Sequence, residues 1–186
     1  MVDIAAVRCR TLTSKSSMFK TLLLLAAAAG IFAGAARAQD VPENLRPPAT
    51  EKLLLQVHAK GAQIYVCRAD GAKFAWTLKA PDAQLFDKDG KLFGKHFAGP
   101  TWEANDGSRV TGKAIANAPS PDGHSVPWLL VKVVDRSGEG TLAHVTSIQR
   151  INTNGGLAPA SGCGSKAVDL EVRAEYSADY RFFVPQ

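Results

Sequence analysis

The C-terminal stretch Leu170–Val184, LEVRAEYSADYRFFV, alternates apolar and polar side chains with a period of two residues. Its even-numbered positions are all apolar or aromatic, whereas the odd-numbered positions from Glu171 to Arg181 are polar or charged. This is the period of a β-strand with one buried face, and no helical periodicity accounts for it. Since 15 residues is long for one strand, we expect a bulge or bend near Ser177–Ala178.

Four Asp-Gly dipeptides divide the chain upstream of this stretch. They lie at Asp70–Gly71, Asp89–Gly90, Asp106–Gly107 and Asp122–Gly123. Asp-Gly is a frequent dipeptide of type I′ hairpin turns, in which both central residues have positive φ angles. The dipeptides therefore predict a succession of hairpins in which each strand folds back on the one before it.

The segments between these turns have the patterns of strands. After the first turn, Phe74, Trp76 and Leu78 alternate with polar or small residues, which predicts a strand with one buried face. Further strands are predicted at 83–88, 91–98, 101–105, 108–117, 126–134 and 141–151. The run VPWLLVKVV at 126–134 is apolar at nearly every position, as expected of a central strand covered on both faces. The sequence predicts an all-β domain of about eight to ten antiparallel strands built from consecutive hairpins, either a β-sandwich or a closed β-barrel.

The first 38 residues have the pattern of an export signal. Apolar residues from Leu22 onward form a core of signal-peptide length, Lys20 precedes it, and ARA at Ala36–Ala38 fits a cleavage site. Met18 is an alternative start, because the segment that follows it is a compact signal peptide by itself. We expect a signal peptide over 1–38, an extended lead-in over 39–50 and a single all-β domain over 51–186.

This leader predicts a periplasmic or secreted protein. Its apolar core is alanine-rich and broken by Gly30 and Gly34, whereas a membrane span needs about 20 apolar residues. No integral membrane segment is therefore expected after signal cleavage.

The charge of the mature chain is nearly balanced. The whole sequence has 22 basic and 17 acidic residues. Residues 1–38 contain five of the basic and one of the acidic residues, which leaves 17 and 16 in the remainder. Because no basic stripe remains, nucleic acid is not an expected partner.

Two cysteines remain once the leader, with Cys9, is set aside. Cys67 and Cys163 are expected to form one disulfide in an oxidising compartment. A pair of free thiols or of metal ligands is the alternative, but neither cysteine belongs to a CxxC motif or has a histidine at ligand spacing. The sequence predicts no metal site, and the absence of a GxGxxG motif leaves no cofactor to predict.

The stretch Gly94–Ser108, GKHFAGPTWEANDGS, is the most chemically rich part of the chain. His96, Glu103 and Asp106 are candidate catalytic residues, since they offer a base and a carboxylate pair. Trp102 is a candidate stacking platform for a sugar ring. A purely structural interpretation competes, in which Asp106 belongs to a hairpin turn and Trp102 to the core.

A glycine-rich loop, NTNGGLAPASGCGS, is predicted at Asn152–Ser165 and would be fixed to the body of the protein by Cys163. Loops held on a rigid β scaffold commonly carry binding groups. Asn154, Gly155 and Gly156 are therefore candidate binding residues, although the same composition also suits a simple connection between strands.

Five ordered motifs span the mature chain. They are GAQIYVC (Gly61–Cys67), HFAGPTWEANDGS (His96–Ser108), VPWLL (Val126–Leu130), IQRINTNGGLAPASGC (Ile148–Cys163) and YSADYRFF (Tyr176–Phe183). Together they resemble the DUF3455 family of exported bacterial and fungal proteins of uncharacterised function. The resemblance covers roughly residues 41–185 and implies no catalytic residue, because the family has no established activity.

The favoured functional interpretation is an exported binding or cell-envelope-associated module with a glycan or small-molecule ligand. The alternative is a glycan-directed hydrolase using Glu103 with Asp106 or His96. Between the two, the sequence favours a protein that is not an enzyme.

Overall fold

The computed structural model describes residues 40–186. The predicted signal peptide at 1–38 lies outside the described residues. The described part consists of one short 3-10 helix and eight strands, β1 to β8. The helix is Glu43–Leu45, and the strands are Glu51–Asp70, Lys73–Phe86, Leu92–Phe97, Thr101–Ala104, Arg109–Ala118, Trp128–Ser137, Ser147–Gly155 and Glu171–Pro185. The helix interrupts the lead-in that was expected to be extended.

Each strand pairs in antiparallel fashion with the next one along the chain, and β1 also pairs with β8. The eight strands therefore form one sheet that closes in a ring. This confirms the predicted all-β antiparallel fold built from consecutive hairpins, in its closed form rather than as a sandwich. Among residues 40–186, no helix is long and apolar enough to cross a membrane.

The interior of the ring holds the main hydrophobic core. Its largest fully buried side chains include Trp102, Tyr180, Phe182, Leu85 and Ile148. The even positions of β8 from Tyr176 to Val184 all point into this core. The alternation of apolar and polar residues in β8 thus arises because one face of the strand packs against the interior, as the sequence predicted.

A smaller hydrophobic cluster lies on the outside of the ring. Leu45 of the 3-10 helix packs there against Trp128, Leu130 and Ile151. Val131 and Val133 of the same strand β6 belong to the interior core. The predicted coverage on two faces holds for the start of the run, where the N-terminal segment lies over Trp128 and Leu130, but not for its end, because Val134 is 61% exposed.

The Asp-Gly turns are real, but they are not type I′ turns. The four glycines have positive φ angles of 58, 76, 86 and 67°, whereas none of the four aspartates has one. In the second and third turns, the N–H of the glycine donates to the carbonyl three residues before it, Asp87 and Ala104 respectively. The hydrogen bond thus closes the turn at the glycine. The glycine takes the positive φ angle, and the aspartate does not need one.

The bulge expected in β8 near Ser177–Ala178 lies instead in its partner. In the register between β7 and β8, Ile151 pairs with Asp179 and Asn154 pairs with Ser177, so β7 carries one extra residue. Asn152, with a φ of 50°, absorbs the irregularity. The long strand itself stays continuous over Glu171–Pro185.

Three predicted segment boundaries are wrong. Residues 141–146 form a turn rather than the start of a strand, and they insert Leu142 and Val145 into the core. The predicted loop at Asn152–Ser165 begins later, because residues up to Gly155 belong to β7. The two strands predicted on either side of residues 80–82 are one strand, β2.

Candidate functional site

An open cavity of about 510 Å³ lies inside one end of the ring. This is the end that carries the β3–β4 turn, because Gly99 and Pro100 of that turn contribute to its wall. Residues from all eight strands complete the lining. The full lining is Gln63, Leu78, Pro81, His96, Gly99, Pro100, Trp102, Gly112, Lys113, Ala114, Leu129, Val131, Arg150 and Tyr180.

The hairpin of β1 and β2 projects past the rest of the ring at this end. Residues 73–82 of β2 pair with β1 alone, since pairing with β3 begins only at Ala83. Leu78 lines the cavity and remains 52% exposed. The prediction that Phe74, Trp76 and Leu78 form a buried face is therefore wrong, because Phe74 and Leu78 are exposed and only Trp76 is partly covered.

The loop between β7 and β8 is held against this projecting hairpin. The disulfide between Cys67 and Cys163 confirms the predicted pairing, with the two Cα atoms 5.4 Å apart. The hydroxyl of Tyr65 donates to the carbonyl of Gly156 at 2.8 Å, and the indole N–H of Trp76 donates to the carbonyl of Ser161 at 2.9 Å. Three attachments thus fix the loop beside the mouth of the cavity.

An aromatic cluster forms the inner end of the cavity. His96 on β3 and Trp102 on β4 pair directly across the two strands and stack with their ring centroids 4.2 Å apart. Tyr180 meets both rings edge-on, at 5.1 Å from His96 and 5.5 Å from Trp102. Offset and edge-on contacts of this kind are favourable between aromatic rings, so the three side chains hold one another in place.

His96 is neutral at physiological pH. Burial lowers its pKa to about 3, because the charged form loses its hydration in the interior. Its Nδ1 lies 2.8 Å from the carbonyl oxygen of Thr101, and since a carbonyl only accepts, Nδ1 carries the proton and donates. The other nitrogen, Nε2, is therefore an acceptor in the neutral ring.

Two residues of the cavity lining each have a buried side-chain N–H donor without a partner. Neither Nε2 of Gln63 nor Nε1 of Trp102 has a hydrogen-bond acceptor within the described residues. Both side chains are only 2% exposed. A buried donor without an acceptor costs about 1–3 kcal/mol. Both nitrogen atoms are themselves shielded from the cavity, although their side chains belong to its lining.

The charge on the cavity wall is positive only. Lys113 and Arg150 belong to the lining, which contains no aspartate or glutamate. Nε and Nη2 of Arg150 both donate to the carbonyl of Pro127, at 3.1 and 2.8 Å. The guanidinium is thus oriented by backbone and not by a carboxylate.

Glu103 lies on the opposite face of β4 from Trp102. Its carboxylate is 3.0 Å from Nζ of Lys95 and 2.5 Å from Nη2 of Arg109, its two neighbours across the sheet. The hydrogen bond from Lys95 and the charge of Arg109 lower the pKa of Glu103. The structure therefore does not bring Glu103 together with His96, which faces the interior.

Asp106 lies in the turn at the other end of β4. Its carboxylate accepts the N–H and the hydroxyl of Ser108 at 2.9 and 2.5 Å, and those of Thr141 at 2.8 and 2.7 Å. These hydrogen bonds hold the pKa of Asp106 well below its usual range. Asp106 ties the β4–β5 turn to the β6–β7 loop, away from the cavity.

The candidate binding residues of the glycine-rich segment are not among the residues that line the cavity. Asn154 is exposed on β7, and Gly155 and Gly156 have φ angles of 70 and 82°. A Cβ atom at Gly156 would lie 2.8 Å from the side chain of Tyr176. The two glycines allow the chain to leave the ring tightly against the core.

Comparison with known families identifies the chain. A family model described as "Protein of unknown function (DUF3455)" matches residues 48–184. The chain belongs to the DUF3455 family. No curated protein and no solved structure is significantly similar to it. The region that matches the DUF3455 model includes all the residues that line the cavity.

Two of the polar groups in the cavity of this DUF3455 chain, Gln63 and Arg150, were not predicted from the sequence. Both occupy inward-facing strand positions, Gln63 in GAQIYVC and Arg150 in SIQRIN. A polar residue at an inward position is the signal that identifies them, but the inward parity of each strand is clear only once the register is known. Within residues 40–186, no group of three or more His, Cys, Asp and Glu side chains is arranged to hold a metal ion.

Proposed function

We propose that this DUF3455 protein is an exported binding module that holds a small, mainly apolar molecule in the cavity of the strand ring. The observation that carries the proposal is the open cavity itself, whose wall is mainly apolar and includes the cationic side chains of Lys113 and Arg150. A ligand with an apolar body would remove this apolar wall from water.

The size and the walls of the cavity support a small-molecule ligand. A volume of about 510 Å³ is within the range of about 300–1,000 Å³ that is typical of such sites. Leu78, Pro81, Leu129 and Val131 supply apolar surface, while a few buried polar groups would fix the orientation of the ligand. This combination of apolar wall and sparse polar groups is the usual composition of a ligand pocket.

The chemistry of the lining supports binding rather than catalysis. It contains no carboxylate, serine or cysteine. His96, with a pKa of about 3, is too weak a base to remove a proton efficiently near neutral pH. In the neutral ring, Nε2 serves instead as a fixed hydrogen-bond acceptor for a donor group on the ligand.

A small molecule is better supported than a glycan. Sugar-binding sites present an open aromatic face, but Trp102 is buried and stacked against His96 at 4.2 Å. Export is supported by the disulfide between Cys67 and Cys163, because disulfides persist mainly in oxidising compartments.

The test is a titration of the full-length mature protein with N-phenylnaphthylamine, a neutral apolar dye whose fluorescence rises on transfer out of water. We expect saturable binding that Ala114→Phe abolishes, because Ala114 lines the cavity in an exposed part of β5 and a phenyl ring would occupy its space. Ala75→Phe is the matched control, since Ala75 is exposed on β2 and does not line the cavity.

The following results of the titration would contradict the proposal. Absence of saturable binding by the parent, or equal binding by parent and Ala114→Phe, contradicts a cavity ligand. A soluble oligosaccharide added in parallel should neither bind nor displace the dye, and displacement would favour the glycan alternative.

A further inference from the structure

We infer that the natural ligand carries a carboxylate that binds to the guanidinium of Arg150, so that it is an alkyl or aryl carboxylic acid in its ionised form. This inference rests on the proposed function, because it names the class of molecule that the same cavity takes. It is based on the positive charge of the cavity wall, because a purely apolar ligand would give this charge no partner.

Arg150 is a partly buried cation without a counter-charge. Within residues 40–186, no carboxylate oxygen lies within 4.0 Å of its side-chain nitrogens. Partly buried arginines are usually paired, because removing a charge from water without a partner is costly. The missing anion is supplied most simply by the occupant of the cavity that Arg150 lines.

The position of Arg150 directs its charge toward the polar groups of the cavity. Arg150 on β7 pairs with Tyr180 on β8, whose ring contacts both His96 and Trp102. Because the Pro127 carbonyl holds Nε and Nη2 on one side, the guanidinium has a fixed orientation. A preoriented guanidinium is the side chain best suited to a planar carboxylate.

A second cation extends this site. A carboxylate accepts up to about four hydrogen bonds, and Lys113 lines the same cavity as Arg150. Two cations and no competing acid thus favour an anion over a neutral acceptor. Leu78, Pro81 and Leu129 leave apolar wall for the body of the ligand.

The experiment compares two competitors that share size and shape but differ in charge. Decanoate and decanamide are each used to displace N-phenylnaphthylamine from the full-length mature protein at neutral pH. We expect decanoate to bind at least about tenfold more tightly, as one added charge-assisted pair is worth about that factor. The advantage should shrink as salt is raised, because screening weakens the pair.

Three variants test whether one side chain causes the preference for decanoate over decanamide. In Arg150→Gln the ratio of the two affinities should fall to about one, whereas Arg150→Lys, which keeps the charge, should retain part of it. Lys132→Gln removes an equal charge from an exposed position outside the cavity and should leave the ratio unchanged.

The outcomes separate this inference from the proposed function. If the dye binds but decanoate and decanamide displace it equally in the parent, the carboxylate inference is overturned while the cavity ligand stands. If the dye does not bind, the proposed function itself fails. If Lys113→Gln removes the preference and Arg150→Gln does not, the assignment to Arg150 is overturned.

Discussion

The imidazole of His96 stacks on the indole of Trp102, with centroids 4.2 Å apart and planes within 12° of parallel. The stack forms because the two residues are direct partners across the β3–β4 hairpin and both face the interior. Burial keeps His96 neutral, and the stack holds its ring in place on the cavity wall. Keeping His96 neutral in the folded state lowers the free energy of unfolding by an amount that depends on pH and can be measured.

Stability should fall as the pH is lowered from about 6.5 to about 3. The pKa of His96 is lowered to about 3 in the folded protein, from a usual value of 6.5. Between these values only the unfolded chain binds the proton, so unfolding becomes easier by up to about 1.4 kcal/mol per pH unit. Above pH 6.5 the histidine is neutral in both states and contributes no slope.

Urea denaturation of the parent and of His96→Gln at several pH values between 4.5 and 7.5 measures this slope. The variant is expected to be less stable at neutral pH but to depend less on pH in the window. His144→Gln is the control, since His144 is exposed. A parent and a His96→Gln protein with equal slopes would mean that His96 is not buried in a neutral state.

Asp106→Asn should destabilise the protein by about 1 kcal/mol or more, because an amide offers one oxygen where the carboxylate accepts four hydrogen bonds from Ser108 and Thr141. Asp89→Asn is the matched control in another Asp-Gly turn, where the side chain contacts only the exposed Lys88. Equal unfolding midpoints for the two variants would contradict the role of Asp106 as a tie between loops.

Lowering the pH should remove the contribution of Asp106 to the free energy of unfolding. Its pKa lies below the usual 3.8 in the folded protein, so its stabilising effect is complete above that pH and declines as the pH falls further. Below pH 3.8 the stability difference between the parent and Asp106→Asn should therefore narrow. A difference that stays constant down to pH 2 would exclude an electrostatic origin.

Reduction of the disulfide should cost about 2–5 kcal/mol and loosen the β7–β8 loop in particular. The N–H of Asp169 donates to the Cys67 carbonyl at 2.9 Å, beside the disulfide. Amide hydrogen exchange at Asp169 should accelerate strongly on reduction, while the amide of Val145 in the β6–β7 loop should change little. Uniform acceleration at both amides would indicate global unfolding rather than release of one loop.

Gly94→Ala should destabilise the protein by about 1–3 kcal/mol. A Cβ atom at Gly94 would lie 2.0 Å from the backbone carbonyl of Glu103, so β3 and β4 could not keep their present separation. Gly164→Ala is the control, because a Cβ atom there meets nothing within 4 Å, and it should change stability by less than about 0.5 kcal/mol. Thermal unfolding of both variants provides the comparison.

The strands were predictable because they depend on local patterns. The alternation of β8 and the four Asp-Gly turns are properties of short segments, and they fix the antiparallel succession of strands. Closure was not predictable, because the pairing of β1 with β8 joins residues such as Val57 and Tyr180. Sandwiches and closed rings share the same local signals.

The candidate site was only partly predictable for a related reason. The period of a strand tells which residues share a face, but not whether another layer covers that face, so the exposure of Leu78 could not be foreseen. His96 and Trp102 were singled out by residue type, yet their contact follows from the hairpin register. Gln63 and Arg150 become notable only when the register places them beside these rings.

The most direct test of the cavity ligand is a nitrogen-15 NMR titration that follows the indole N–H signals of the three tryptophans. The signals are assigned with Trp102→Phe, Trp76→Phe and Trp128→Phe, and decanoate is added to saturation. The side chain of Trp102 lines the cavity, whereas that of Trp128 packs in the outer cluster against Leu45. The account predicts a large, saturable shift of the Trp102 signal with no change at Trp128; a Trp102 signal that stays in place while decanoate binds would contradict it.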